Sequence, residues 1–159
     1  MEKKKKGLVL NNYYSFIALG IAVVCVCMLF LPSVSFFLGN KEVFSVNGWQ
    51  AIFGHEVELH LIIVNISGTV LEFSFMLFLP VILACAGGII PLVIKSKFGA
   101  IISVACFIVA AVLAFMTTVL IMPTDIIKNL ESSLCIGPIL FGAFSVIGAC
   151  FGAIKILVK

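Results

Sequence analysis

Residues 73–122 read FSFMLFLPVILACAGGIIPLVI-KSK-FGAIISVACFIVAAVLAFMTTVLIM, and this stretch decides the class of the fold. Two apolar runs, 73–94 and 98–122, flank the tripeptide Lys95-Ser96-Lys97 and hold no Asp, Glu, Lys, Arg or His. Each is long enough to cross a bilayer as a helix, which takes about 20 apolar residues. Three residues between them allow only a tight reversal, so the pair is predicted to be an antiparallel helical hairpin within a membrane.

Two further runs, 13–38 and 134–158, have the same character, and Lys155 is the only formally charged residue in all four. Across 159 residues 63% are hydrophobic and 11% charged, against about 25% charged in a soluble domain. Mean hydropathy is +1.32. The expected fold is an all-α membrane protein, one integral domain over 1–159. It is a four-helix transmembrane bundle with external loops 39–72 and 123–133 and a small extracytoplasmic two-stranded β element in the first loop.

The lysines orient the bundle. Lys3, Lys4, Lys5, Lys6, Lys95, Lys97, Lys155 and Lys159 share one side with Glu2 alone. Lys41 and Lys128 share the other with Glu42, Glu56, Glu58, Glu72, Asp125 and Glu131, leaving the net charge of +3. Lysine excess in short loops marks the cytoplasmic face. Both termini are therefore expected in the cytoplasm of a multi-pass plasma-membrane protein. The chain has no arginine, which with its Lys, Ile, Phe and Asn suggests a low-GC bacterial coding sequence. The apolar run 16–31 exceeds a signal-peptide core of about 7–15 residues, so it is read as a span and not as a cleaved leader.

The same sparseness excludes several chemistries. Intramembrane proton relays and ion-coupled carriers need buried ionisable groups, and these spans supply none besides Lys155. Cys25, Cys27, Cys85, Cys106 and Cys150 fall inside spans, and Cys135 lies near the outer end of the fourth, so no external disulfide framework is expected. Glu56, Glu58 and His60 alternate with Val57, Leu59 and Leu61 and read as the solvated face of a half-buried strand. With His55 they are the only external candidates for a metal, and no metal, cofactor or catalytic residue is assigned. Asn65-Ile66-Ser67 matches a glycosylation acceptor by chance.

The first external loop is the only sizeable patterned polar region. Val43-Phe44-Ser45-Val46 alternates into Asn47-Gly48, a hairpin-turn signal. Trp49, Ile52 and Phe53 are spaced to share one face of a helical turn. They are the candidate partner contacts, since buried aromatic anchors dominate interfaces. In the second loop Pro123-Thr124-Asp125 is expected to start a short helix whose apolar side is Ile126, Ile127, Leu130 and Leu134.

Helix association in lipid relies on small residues that let backbones approach. Ser15, Ala18, Ala22 and Cys25 supply such a stripe in the first span, and Ala84 and Gly88 in the second. Ser103, Cys106, Ala110 and Ala114 supply it in the third, and Ser145, Gly148, Ala149 and Gly152 in the fourth. Their expected use is internal packing, with self-association through Gly148 and Gly152 the alternative. Pro80 is expected to kink the second span.

Asn47-Gly48-Trp49-Gln50-Ala51-Ile52-Phe53-Gly54, followed by Leu71-Glu72-Phe73-Ser74-Phe75, resembles a loop pattern of uncharacterised four-span membrane proteins of low-GC Gram-positive bacteria. The topology and Gly48-Trp49 are also similar to claudin-like proteins, without their paired loop cysteines. Disulfide-generating quinone reductases and small multidrug transporters share the size, but their loop cysteine pairs and first-span glutamate are missing. The resemblance implies compartment and not activity.

The expected function is non-enzymatic: a structural or accessory membrane protein whose first external loop meets a membrane or extracytoplasmic protein. Besides lipid, the expected partners include a second copy and exclude nucleic acid. Transport by an oligomer is the alternative, and it predicts a wet cavity lined by Ser74, Ser103, Thr117, Thr118 or Ser145. An enzyme is the third reading, in which His55, Glu56, Glu58 or His60 converges with an acid of the second loop.

Overall fold

The computed structural model describes residues 2–39, 41–60, 65–121 and 130–157, and within them the side chains other than those of 2–12 and 55–70. The chain is mostly helical. Helix α1 covers Glu2–Cys27 and continues as a 3-10 turn, Met28–Phe30. Strands β1 (Pro32–Leu38) and β2 (Lys41–Asn47) follow, then the short helix α2 (Gly48–Phe53) and the hairpin strands β3 (His55–His60) and β4 (Asn65–Leu71). Helices α3 (Phe75–Val93) and α4 (Lys97–Phe115) come next, with a single turn α5 (Thr117–Leu120), strand β5 (Glu131–Leu134) and helix α6 (Ile136–Leu157).

Four helical segments are long and apolar enough to cross a membrane: Tyr13–Phe30, Phe75–Val93, Lys97–Phe115 and Ile136–Leu157. At about 1.5 Å per residue they measure roughly 27–33 Å, the thickness of a hydrocarbon core. Helix α1 packs on α3 and α6, α3 on α4, and α4 on α6, which closes a ring of contacts. Ser96 starts α4 by accepting the Gly99 amide on its hydroxyl, so the reversal after α3 is capped within three residues. Pro80 and Pro91 both lie inside α3, which stays one continuous helix.

Glycines set the closest approaches. A Cβ on Gly88 would stand 2.6 Å from the Ala22 methyl and 3.0 Å from the Ala18 carbonyl, so α1 and α3 cross backbone to backbone there. The fully buried ring of Phe107 on α4 lies between Gly87 of α3 and Gly148 of α6, each of whose added Cβ would meet it at 3.1–3.2 Å. The Phe115 ring covers Gly142 in the same way, 2.6 Å from a Cβ built there.

The first helix ends earlier than expected from the sequence. Residues 32–38 are the central strand of a three-stranded antiparallel sheet of order β2-β1-β5, not the last two turns of span 13–38. Val34 pairs with Val46 on one side and Leu134 on the other, and Phe36 stacks on Phe44 with centroids 4.8 Å apart. The two-stranded element differs as well. Strand 43–46 pairs backward with β1, and β3 pairs with β4, from His55↔Leu71 to His60↔Asn65. Asn47-Gly48 is not a hairpin turn. Asn47 caps α2 by accepting the Gln50 amide at 2.9 Å, while the Gln50 side chain accepts the Asn47 amide at 3.0 Å. Gly48 is required because a Cβ would meet the Leu29 backbone at 2.9 Å. The helix expected from 123 onward falls partly on 122–129, outside the described residues; of its later members Leu130 is a bend and Leu134 ends β5. The third span shortens to Phe115, with Met116 a turn before α5.

Candidate functional site

Proline chemistry builds the polar centre of the helices. Pro91 has no N–H, so the carbonyl of Gly87 four residues earlier loses its helical donor. Ser103 of α4 donates to that carbonyl at 2.6 Å. Its single proton is thereby used, so the Tyr14 hydroxyl donates to Ser103 across 3.0 Å. Ser15 donates to the Pro91 carbonyl, at the end of α3, at 2.8 Å. Towards the sheet, Cys25 lies 3.6 Å from the Ser145 hydroxyl, and Thr117 donates to the Ala114 carbonyl at 2.6 Å. Every one of these groups is a repair of backbone or a bridge between helices.

Lys155 closes this centre from the α6 end. Its Nζ lies 4.6 Å from the centroid of Tyr14 and is buried with no hydrogen-bond partner among the described residues. The ring face is its local counterpart, an interaction worth about 0.5–2 kcal/mol. Tyr14 is buried, and its neighbour Tyr13, 65% exposed, holds the outward position.

The stripe residues lie as follows. Ser103, Ala110, Ala114, Ser145, Gly148, Ala149 and Gly152 are buried, and Cys106 is half-buried. Gly152 lies against Val104 and the Tyr14 hydroxyl, and Gly148 against Phe107, so both glycines of the motif are covered within the chain.

Of the groups expected to line a wet pathway, Ser74, Ser103, Thr117 and Ser145 are buried and Thr118 is half-buried. A cavity of about 40 Å³ lies where the helices meet the sheet, bordered by Leu29, Ser33, Ile52, Pro80, Thr117 and Phe141. That is room for a few waters at most. A larger space of about 380 Å³ is a groove along the outside of α4 and α6, lined by apolar residues such as Val104, Ile108, Val112, Ala149 and Cys150.

The three candidate contact residues separate on α2. Ile52 is only 2% exposed and belongs to the core. Phe53 is 55% exposed, Trp49 is half-buried against the edge of the core, and the two rings stack at 5.4 Å. Trp49 also meets Phe30 at 6.0 Å, and Phe53 meets Phe73 and Phe78 at 6.0 Å each. Sequence reading had not joined Phe30, Phe73 and Phe78 to the candidate set, because their neighbours on α2 come from a different part of the chain.

The indole Nε1 of Trp49 is buried without an acceptor. A donor left so costs about 1–3 kcal/mol. Trp49→Phe, which keeps a ring and removes the donor, is therefore expected to melt within about 1 kcal/mol of the parent. Trp49→Ala is expected to lose about 3 kcal/mol or more. Thermal unfolding in detergent compares them, and equal losses for the two would contradict this account of the indole.

On the sheet, Ser35 donates to Glu42 at 2.7 Å, and its oxygen lies 3.0 Å from the Cys135 sulfur. Among the described residues, no three of His, Cys, Asp and Glu converge as a metal site. The side chains of His55, Glu56, Glu58 and His60 lie outside the described set. No protein family, curated protein or solved structure matches this chain.

Proposed function

We propose that the chain is a non-enzymatic structural or accessory protein of the bacterial plasma membrane. In this reading its four long helices form a transmembrane bundle with both termini in the cytoplasm. The sheet, α2 and the β3–β4 hairpin form an extracytoplasmic head that meets a protein partner. The observation that carries the reading is the fate of the polar groups within the helices. Ser15, Ser103 and Thr117 are spent on backbone carbonyls and Ser145 lies beside Cys25, so among the described residues these groups serve helix packing, while the Ser74 hydroxyl is buried without a partner. Specificity is then left to the head, where β2 is an edge of the three-stranded sheet and a place for an added strand.

The orientation is tested with reporter fusions. Alkaline phosphatase inserted after Gly54 is expected to be active, and green fluorescent protein after Lys159 to fluoresce. The opposite pattern overturns the orientation. The partner is tested by placing a photo-crosslinking residue at Glu42 on β2 or, as a control, at Ile89 on α3, and irradiating native membranes. Discrete protein adducts are expected from 42 and lipid adducts from 89. Lipid or no adducts from both positions would defeat the partner reading.

A further inference from the structure

We propose that α2 seats the head on the bilayer, with the exposed Phe53 ring lying in the lipid interface and not against a protein, and the half-buried Trp49 stacked behind it. The inference rests on the reading that the helices span a membrane. Its first support is depth. Phe30 ends the span Tyr13–Phe30 and Phe75 begins the span Phe75–Val93, so these residues mark where two spans meet the boundary. The Trp49 ring touches Phe30, and the Phe53 ring touches Phe78, three residues inside α3. Three helical residues rise about 4.5 Å, which puts the Phe53 ring level with the edge of the hydrocarbon.

The second support is fixation. The Ser74 amide donates to the Ile52 carbonyl at 2.9 Å, which ties α2 to the start of α3. Gly48, Ala51 and Ile52 are buried on the inner side of α2. The helix therefore cannot turn its aromatic side elsewhere without breaking its cap and its core contacts.

The third support is exposure. Phe30, Phe53, Phe73 and Phe75 are 54–67% exposed, and Val23 of α1 and Met76 of α3 are 56% and 50% exposed. Exposed aromatic rings placed at the boundary are what the bilayer interface binds. Glu72, exposed beside Phe73, is the charged neighbour of these rings along the chain.

Trp49 is the sole tryptophan, so one substitution moves the fluorophore. The double variant Trp49→Phe/Phe53→Trp is reconstituted in vesicles containing brominated phosphatidylcholine. A companion, Trp49→Phe/Ile108→Trp, places the indole on the exposed middle of α4. The expected result is a blue-shifted emission at 53, lost with bromines near the headgroup end of the acyl chain and largely kept with mid-chain bromines. At 108 the order is reversed. Loss at 108 but none at 53 with any brominated lipid overturns the seating alone. If aqueous acrylamide also fails at 53, a protein surface or a second copy covers it; if acrylamide quenches it, water does. No bromine quenching at 108 would instead remove the membrane reading on which the proposal rests.

Discussion

Gly88→Ile is expected to separate α1 from α3 and to cost about 3 kcal/mol, the upper part of the range for overpacking. The size follows from what stands in the way. An added Cβ meets the Ala22 methyl at 2.6 Å and the Ala18 carbonyl at 3.0 Å, and a backbone carbonyl has no rotamer to escape into. Gly88→Ala is expected to lose less than the isoleucine, although its methyl alone stands 2.6 Å from that of Ala22 and needs a shift of about 1 Å. Gly20 is the internal control, because nothing lies within 4 Å of a Cβ there. Gly20→Ala is expected to be neutral or to gain about 0.5–1 kcal/mol from helix propensity. Thermal unfolding in detergent, read by circular dichroism, ranks the three variants against the parent. Equal midpoints for Gly88→Ile and Gly20→Ala would refute the crossing.

The helices were legible because an apolar run of 19 or more residues between lysines has few other uses. Where the reading overran, the reason is physical. Residues 31–38 are apolar enough to extend a span, and a strand covered on both faces carries the same signature as a buried helix. Ser33, Val34, Ser35 and Phe36 are all buried, so their polar–apolar alternation did not separate inside from outside. The partner that makes 32–38 a central strand lies about a hundred residues away at Glu131–Leu134, and no local pattern points to it.

The loop shows the opposite case, a signal present but assigned to the wrong motif. Asn47-Gly48 suits a two-residue hairpin, yet Gln50 three residues after Asn47 is a capping-box spacing. The choice was made by Leu29, whose backbone leaves room only for a glycine at 48. The aromatic site was half legible. Spacing joined Trp49 to Phe53, but it also added Ile52, because a helical turn of six residues does not reveal which side meets a core. The small residues of the helices stood out as stripes, whereas their counterparts Phe107 and Phe115 did not, since a large ring in a span looks the same whether it faces lipid or a glycine.

Ser103→Ala is expected to cost about 1–2 kcal/mol, and the cost is expected to depend on Pro91. The alanine leaves two groups unmatched at once: the Gly87 carbonyl, which Pro91 deprives of its helical donor, and the Tyr14 hydroxyl. Water does not reach either, since Ser103 is fully buried and Tyr14 is only 5% exposed. Measured values for hydrogen bonds between membrane helices average lower, about 0.6 kcal/mol, because the freed groups usually find other partners. Here the carbonyl has none within its own helix, which argues for the upper end. Pro91→Ala supplies the missing N–H, so Gly87 no longer depends on α4. In that background Ser103→Ala should lose only the Tyr14 bond, and its cost should fall by roughly half, a coupling that a double-mutant cycle isolates. Tyr14→Phe should cost less than Ser103→Ala, because it removes the donor and leaves the Ser103–Gly87 bond in place. Identical costs for Ser103→Ala with proline and with alanine at 91 would mean that the serine does not serve the carbonyl. If instead the cost vanishes with alanine at 91, the tyrosine bond contributes nothing and the proline repair accounts for all of it.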